Sequence, residues 1–416
     1  MSQPKRDYLF KLLSSDERNS IKDLEDLLQA SGVLDKGATI PLTFLNEEDI
    51  GITNIGIGIE DNAVIAIFCR YCALTSLPES LGQFPYLQHL DVTGNQLTTL
   101  PESLGNLLYL ERLFVDDNQL TTLPESLGNL LHLRELHADG NQLISLPTTL
   151  CQLAKLETLR VYGNQLEALP ADIRRLISLK DISIGKNRFT ALPDTFWQLS
   201  RLRSLNIAEN CFATLAEDIG RLTDLRMVDL GHNELTLLPK SLDKLVDLTF
   251  LYISNNRLTA LSESLFERMG NLMYLSLTDN QLETLPESIG NLTNLQELRI
   301  YNNSLTVLPK SLSKLVNLKE LHAMNNKLAN LPETIDSLKN LKELRLSINK
   351  LTALPECIGN LTNLRYLDLR ANKLTALPEC IGNLINLDKL DLRWNKISHL
   401  PNCHEELEGH GCTVFI

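Results

Sequence analysis

The cysteine pair Cys69-x-x-Cys72 has the residue types and spacing of half a zinc-binding or redox motif. A structural interpretation competes with this one. Residue 69 fits an inward-facing strand position, and residue 72 fits a column that asparagine fills elsewhere in the chain. Cysteine is small and easily buried, so it suits both positions. We therefore expect the pair to pack inside the protein rather than to bind metal or react.

Four residues near the C-terminus could also ligate zinc: Cys403, His404, His410 and Cys412. Their spacing matches no standard zinc-binding pattern, and the segment also fits a terminal cap. We expect no metal and no other cofactor, with a zinc-binding or catalytic protein as the alternative. Neither a G-x-S-x-G nor an H-E-x-x-H motif occurs, and the eight histidines are scattered. The sequence thus predicts a protein that is not an enzyme.

Asparagines at nearly constant spacing define the elements that would position any site. Each stands in the frame L-x-x-L-x-V-x-x-N-x-L-x-x-L-P, as at residues 87–101. Every interval is 23 residues except one of 24, between Asn256 and Asn280. The asparagines that form this predicted structural ladder are Asn95, Asn118, Asn141, Asn164, Asn187, Asn210, Asn233, Asn256, Asn280, Asn303, Asn326, Asn349, Asn372 and Asn395.

A fixed period of this length with this leucine and asparagine pattern is typical of a leucine-rich repeat solenoid. The x-Leu-x-Leu-x segment alternates with a period of two residues and predicts one short strand per repeat. The Pro-Glu-Ser-Leu-Gly-Asn segment predicts one or two turns of α or 3₁₀ helix. The expected fold is α/β: a curved horseshoe with a parallel, concave β-sheet and short helical turns on its convex face. Each asparagine amide is expected to bind backbone groups of its own and the next repeat.

Counting 23 residues back from Asn95 reaches Cys72, so cysteine takes the asparagine position in a fifteenth repeat. The predicted domains are an N-terminal cap at 1–63, the repeats at 64–401 and a C-terminal cap at 402–416. Such caps are needed because a terminal repeat would otherwise expose the core and a free strand edge.

The terminal segments predict particular elements. Alternating apolar residues at 50–59 and a turn at 60–62 predict a β-hairpin that leads into the first repeat strand. Upstream, Ser20-x-x-Asp23 predicts the start of a helix. Residues 405–416 predict a short helix followed by a closing strand.

The motif N-x-L-T-x-L-P-E-S-[LI]-G-N-L resembles the repeats of intracellular Ras-group leucine-rich repeat proteins, the scaffolds related to erbin and scribble. It is also similar to repeats of prokaryotic, including archaeal, leucine-rich repeat proteins. The resemblance covers residues 64–401, about four-fifths of the chain. It implies protein–protein scaffolding, in some members around small GTPases. No PDZ domain or G-x-x-x-x-G-K-[ST] motif is found, so an adaptor role would depend on the repeats alone.

Charge and hydropathy narrow the class of partner. The formal net charge is −13, but many acids follow the repeat proline, where a helix N-terminus favours them. No basic stripe dominates, so bulk nucleic-acid binding is disfavoured. There is neither a signal peptide nor an 18-residue apolar run. We expect a cytoplasmic monomer without a membrane span.

At the strand positions, some residues keep the same type in every repeat because they pack in the core. The residues that vary between repeats would therefore be the ones that face a ligand. From the eighth repeat onward they are rich in aromatic residues, methionine and arginine, the types enriched in protein interfaces. The predicted partner-binding residues are Met227, Phe250, Tyr252, Tyr274, Arg299, Tyr301, His322, Met324, Arg345, Tyr366, Arg370, Arg393 and Trp394. The alternative is that tyrosines merely suit strands and cover their neighbours. We favour a folded protein partner, with a small GTPase as the alternative.

Three further features have two interpretations each. An acidic zone in repeats 2 to 4 either faces a ligand or only aids solubility; its members are Asp91, Asp116, Asp117, Glu135 and Asp139. A row of lysines is interpreted as a solvated edge; its members are Lys327, Lys350, Lys373 and Lys396. The longer repeat, in which Ser262 replaces the proline, indicates either a local change of curvature or neutral drift.

Overall fold

A computed structural model describes residues 3–44, 54–401 and 403–416 of the protein. The chain divides into two compact units, Met1–Asn206 and Ile207–Ile416. No helix among these residues is long and apolar enough to cross a membrane.

The first unit begins with two helices, α1 (Gln3–Leu12) and α2 (Ser15–Ala30). A capping box begins α2: the Ser14 hydroxyl accepts from the Glu17 N–H at 3.2 Å, and the Glu17 carboxylate accepts from the Ser14 N–H at 3.0 Å. The predicted helix start at Ser20 was wrong, because Ser20 lies inside α2. There its hydroxyl donates to a carbonyl of the first repeat at 2.8 Å and helps to fix the helix against the repeats.

The N-terminal hairpin consists of β2 (Ile55–Glu60) and β3 (Ala63–Cys69), paired antiparallel. Asp61 and Asn62 form its turn with φ of 48° and 64°, a conformation that these two residue types tolerate. The structure therefore contains the expected hairpin. The part predicted at residues 50–53 lies outside the described residues.

Parallel pairing begins at β3 and continues strand by strand in register through the first unit. β1 (Leu42–Phe44) pairs parallel with β2 on the other side of the hairpin. The remaining strands of this unit are β4 (His89–Asp91), β5 (Arg112–Phe114), β6 (Glu135–His137), β7 (Thr158–Arg160), β8 (Asp181–Ser183) and β9 (Ser204–Asn206).

The second unit repeats the same architecture, with strands paired parallel in chain order. Its strands are β10 (Met227–Asp229), β11 (Phe250–Tyr252), β12 (Tyr274–Ser276), β13 (Glu297–Arg299), β14 (Glu320–His322), β15 (Glu343–Arg345), β16 (Tyr366–Asp368), β17 (Lys389–Asp391) and β18 (Thr413–Phe415). The helix α3 (His404–Gly409) precedes β18, so the expected C-terminal helix and closing strand are both present.

The return segments form short 3₁₀ helices, as the sequence predicted. In the first unit they are Glu79–Gln83, Glu102–Asn106, Glu125–Asn129, Thr148–Gln152, Ile173–Arg175 and Asp194–Gln198. In the second they are Glu217–Arg221, Lys240–Lys244, Glu287–Asn291, Lys310–Lys314, Glu333–Ser337, Glu356–Asn360 and Glu379–Asn383. The periodic leucines of strand and return segment are buried between the two layers, as Leu298 and Leu292 illustrate at 0% exposure. Their burial from water stabilises the stack.

The asparagine ladder joins each repeat to the preceding one. The Asn118 Oδ1 accepts from the Leu97 N–H at 3.0 Å, and its Nδ2 donates to the Val92 and Val115 carbonyls at 3.0 and 3.1 Å. Leu97 and Val92 belong to the preceding repeat, so the expectation that the amide binds the next repeat was wrong. The reason is geometric: where the chain leaves the strand, the amide lies beside backbone groups that the preceding turn leaves unpaired.

Cys72 stands at the head of this ladder, where a hairpin rather than a repeat precedes it. Its N–H donates to the Asn95 Oδ1 at 3.0 Å, and its thiol donates only to the Arg70 carbonyl at 3.2 Å. Cys69 and Cys72 are both fully buried, and burial raises the pKa of the Cys72 thiol to about 11. Neither thiol is therefore ready to ionise and react.

The longer repeat loses its 3₁₀ helix; turns replace it between β11 and β12. Strand pairing is unaffected, since Phe250 still lies opposite Tyr274 and Tyr252 opposite Ser276. The ladder bond from the Leu258 N–H to the Asn280 Oδ1 also persists, at 3.1 Å. The extra residue is thus absorbed in the return segment and does not disturb the strand face.

Candidate functional site

Each strand from β4 to β17 buries its middle side chain and places the first and third on the opposite side of the sheet, called here the strand face. In β11 the middle residue, Leu251, is 0% exposed, whereas Phe250 is 40% exposed and Tyr252 is half-buried. Parallel, in-register pairing repeats this arrangement, so the predicted columns of variable residues do lie side by side within the second unit.

Aromatic rings and an arginine contact one another at the start of this face. The rings of Tyr252 and Tyr274 lie 4.8 Å apart between centroids, and the Arg299 guanidinium lies 5.6 Å from the centre of the Tyr274 ring. Burial raises the pKa of both tyrosine hydroxyls, so they stay neutral donors. Large, stiff side chains of this kind lose little conformational entropy on binding, which favours an interface.

A second group of rings and cations lies toward the end of the face. The Arg345 guanidinium is 5.3 Å from the centre of the Tyr366 ring, and that of Arg370 is 5.7 Å from the centre of the Trp394 ring. Trp394 is 73% exposed, an unusual degree for so large an apolar side chain. Met227, Tyr301 and Met324, which were also predicted to contact a partner, are half-buried on the same face.

Phe415 extends this second group, although the sequence analysis did not select it. The Lys389 ammonium and the Arg393 guanidinium lie 5.0 and 5.1 Å from the centre of its ring. It falls in the closing strand, opposite Asp391 in β17. The sequence predicted a closing strand, and pairing that strand with β17 would have placed Phe415 on the strand face.

His322 differs from the other predicted partner-binding residues because it is buried, with only 6% of its surface exposed. It lies between Arg299 and Arg345 on the neighbouring strands. In the adjacent column, Glu297, Glu320 and Glu343 lie nearest to it, and the aromatic rings of Tyr274 and Tyr366 lie one strand farther on either side. A large partner could therefore reach the groups around His322 more easily than the imidazole itself.

The acidic zone is tied into the scaffold of the first unit. The Asp116 and Asp139 carboxylates accept from the backbone N–H groups of Asp139 and Tyr162, both at 2.6 Å. Asp91 forms an ion pair with Arg70 at 2.6 Å, and Glu135 pairs with Arg112 at 3.1 Å. These contacts favour a structural role for the zone over ligand binding.

A groove of about 710 Å³ lies along the edge of the second unit where the strands begin. Asparagines bridge its repeats: the Asn271, Asn317 and Asn340 amides donate to carbonyls of the preceding repeat at 3.1, 2.8 and 2.8 Å. This second ladder was missed by the sequence analysis. Its signal was the Asn-Leu pair that recurs just before the strands from Asn271 to Asn386.

The comparisons with known proteins agree with this architecture. The model of a leucine-rich repeat region matches residues 257–356, that of a leucine rich repeat matches residues 85–143 and 147–212, and that of two repeat copies matches residues 339–380. A solved structure of a leucine-rich repeat protein from Leptospira interrogans is 34% identical, with a TM-score of 0.78, over 85% of this chain and 96% of that one. This chain is a leucine-rich repeat protein. None of the curated proteins matches it.

Two other solved structures similar to this leucine-rich repeat protein contain a ligand. The plant peptide hormone receptor RGFR1 in complex with RGF2 is 27% identical, with a TM-score of 0.65, over 84% of this chain and 66% of that one. The Toll–Spatzle complex of Drosophila is 26% identical, with a TM-score of 0.72, over 81% of this chain and 48% of that one. Leucine-rich repeat proteins are commonly interaction modules and are typically not enzymes.

The two candidate thiol sites of this leucine-rich repeat protein are buried rather than reactive. Cys403 and Cys412 are 9% and 5% exposed, and burial raises the pKa of the Cys412 thiol to about 11. The side chain of His404 lies outside the described residues. Among the side chains that the structure does describe, the one group arranged to hold a metal ion lies elsewhere, at Glu297, Glu320 and His322.

Proposed function

We propose that this leucine-rich repeat protein acts as a non-enzymatic interaction module that binds a folded protein on the strand face of its second unit. The observation that carries the proposal is the row of exposed or half-buried aromatic side chains on the strand face, several of which contact another ring or a cation. Phe250 and Trp394 are the most exposed of them, at 40% and 73%. Rings held in place by neighbours are pre-organised to bury against a partner.

The similar structures support a protein ligand. One is a peptide hormone receptor in complex with RGF2, and the other is Toll in complex with Spatzle. The return segments of the second unit offer fewer features that a partner could recognise. They repeat the same short sequence motif, and their large exposed side chains are scattered. The strand face, in contrast, carries a different side chain in almost every repeat.

The test is affinity capture from the native cell, quantified by mass spectrometry, with wild type compared with the triple variant Tyr252→Ala/Tyr274→Ala/Tyr301→Ala. The proposal predicts that a partner captured by wild type is lost, by about tenfold or more, from the variant. An unchanged thermal unfolding midpoint shows that the variant is folded. A partner that is retained at the wild-type level would rule out this face.

A matched control changes aromatic residues in the turns that precede β4 and β5 in the first unit. Tyr86 and Tyr109 are 54% and 49% exposed, with ring centroids 5.9 Å apart. The double variant Tyr86→Ala/Tyr109→Ala removes a similar area of ring surface. It should capture the same partner as wild type. Loss of the partner from this control alone would move the site to the first unit.

A small GTPase is the more specific candidate, suggested only by the resemblance to Ras-group repeats. The same capture experiment tests it when the GTPases in the cell extract are first loaded with GDP or with a non-hydrolysable GTP analogue. A regulator or effector of a GTPase would retain its partner in one nucleotide state and not the other. Equal retention in both states would leave general scaffolding as the function.

We also propose that the protein works in the cytoplasm as a monomer. All eight cysteines are free thiols, which suits a reducing compartment. Cell fractionation tests the location, and sedimentation analysis tests the oligomeric state. Recovery in the extracellular fraction or as a dimer would contradict this part of the proposal.

A further inference from the structure

Three glutamates lie side by side on the strand face of the second unit. Glu297, Glu320 and Glu343 are the first residues of β13, β14 and β15 and are paired in register. The third residues of the same strands are Arg299, His322 and Arg345. Like charges directly opposite one another are unfavourable, so three carboxylates in a row require a compensating group.

Each of the two arginines forms its ion pair with an outer carboxylate. Arg299 forms an ion pair with Glu297, and Arg345 forms one with Glu343. Among the described residues, Glu320 has His322 as its only ion-pair partner, with Nε2 3.3 Å from Oε2. Glu320, at the centre of the row, therefore has no arginine bound to it.

His322 itself carries an unsatisfied atom. Its side chain is 8% exposed, and its buried Nε2 makes no hydrogen bond. That nitrogen is directed at the carboxylates, 3.3 Å from Glu320 and 3.9 Å from Glu343. Buried polar atoms are nearly always paired, so this one requires an explanation.

Protonation of the imidazole would be one explanation, but the surroundings oppose it. His322 is buried between Arg299 and Arg345 on the neighbouring strands, and both arginines would repel a further positive charge. The neutral imidazole is the form that binds metal ions. A cation between Nε2 and the carboxylates would satisfy the nitrogen and supply the missing charge together.

We propose that Glu297, Glu320 and His322 form a binding site for a divalent transition-metal ion of the zinc type. One ligand atom from each of the three lies within 4.8 Å of the other two. With metal–ligand bonds of about 2.1 Å, the edge of a tetrahedron is roughly 3.4 Å, close to the 3.3 Å between His322 Nε2 and Glu320 Oε2. The imidazole ligand favours zinc over magnesium or calcium, which prefer oxygen.

Three protein ligands leave one coordination position of a tetrahedral ion open. Glu320 is 39% exposed, so the site is accessible from solvent on the strand face. Water or an oxygen or nitrogen atom of another molecule would complete the coordination there. The metal site stands independently of the proposed protein partner, since each ligand atom belongs to this chain.

The test uses the full chain, freed of metal with a chelator and titrated with zinc chloride against a chromophoric zinc indicator. The expected result is one bound zinc ion per chain. Glu320→Gln, which keeps the size of the side chain, and His322→Ala should each weaken binding by about tenfold or more. Cobalt should give the visible bands of a four-coordinate ion in wild type and lose them in both variants.

The matched control is His132→Ala, which removes a histidine that packs edge-on against Tyr109 at 5.6 Å. It should bind zinc as wild type does. If wild type binds no zinc, or if Glu320→Gln and His322→Ala bind it unchanged, the site does not exist. Loss of binding in the control would equally overturn the assignment. Unfolding midpoints in chelator confirm that all variants are folded before they are compared.

Discussion

His137 in β6 and His322 in β14 occupy the same position of the repeat, yet their surroundings differ. The His137 ring stacks on Phe114 with centroids 4.4 Å apart, and the Asp116 Oδ2 is 4.0 Å from its Nδ1. The other Asp116 oxygen already accepts a backbone N–H. Around His322, in contrast, the acids are glutamates on the strands, and the structure shows them bound to arginine side chains or to the histidine alone.

The difference shows that the position of an acid in the repeat determines what it does. An aspartate two residues beyond the strand reaches the backbone of the next turn, as Asp116 and Asp139 do. A glutamate at the start of the strand is too far from that turn and projects from the face instead. Asp116 and Asp139 thus serve the scaffold, whereas the glutamates around His322 contact side chains of the strand face.

The largest predicted effect concerns the scaffold side of this comparison. Asn118→Ala leaves the Leu97 N–H and the Val92 and Val115 carbonyls without their amide partner. Buried, unsatisfied groups should lower the free energy of unfolding by about 3 kcal/mol. Urea denaturation measures it. A loss below about 1 kcal/mol would mean that the ladder contributes little.

The comparison predicts next that the two acidic regions respond differently to zinc. Glu320→Gln and Asp116→Asn each replace a carboxylate by an amide of similar size. Glu320→Gln should weaken zinc binding by about tenfold or more, whereas Asp116→Asn should leave it unchanged. Equal effects in an indicator titration would show that the acids of the two regions are not distinct.

A smaller effect concerns pH. Burial raises the pKa of the Asp116 carboxyl to about 7 from its ordinary value of 3.8. The folded chain then holds a proton that the unfolded chain has released, so this group lowers stability as pH rises from about 4 to about 7. From pH 8 to pH 5, wild type should gain roughly 2 to 3 kcal/mol relative to Asp116→Asn. Urea midpoints at both pH values measure the gain, and an opposite sign would contradict it.

The smallest effect is predicted for the second ladder. Asn271→Ala removes an exposed amide that donates to the Val246 carbonyl at 3.1 Å. Because water can replace the lost bond, unfolding should become easier by only about 0.5 kcal/mol. A loss as large as that of Asn118→Ala, measured in the same urea titration, would remove the distinction between buried and exposed ladders.

The regular part of the fold could be predicted because the period fixes it. The 23-residue spacing gave the parallel strands, the short helical turns and the columns of the strand face. The direction of the asparagine bonds could not be predicted, because it depends on which turn the amide lies beside. The capping box at Ser14 was missed for a similar reason: Ser20-x-x-Asp23 has the same pattern, and the sequence does not show which of the two begins the helix.

Less of the candidate site could be predicted. The repeat period placed Tyr252, Tyr274 and Arg299 on one face, and their ring contacts followed from that placement. The burial of His322 did not follow, because it depends on the directions in which the neighbouring arginines and glutamates extend. Phe415 was missed because it lies beyond the last regular repeat.

The most direct test of the proposed function is photo-crosslinking in the native cell. The photoreactive residue p-benzoylphenylalanine replaces Phe250, on a strand, in one variant and Tyr109, in a turn of the first unit, in another; the two positions are 40% and 49% exposed. We predict a covalent adduct with a partner protein from position 250 and none with that partner from position 109. An adduct from position 109 alone, or none from either position, would contradict binding on the strand face.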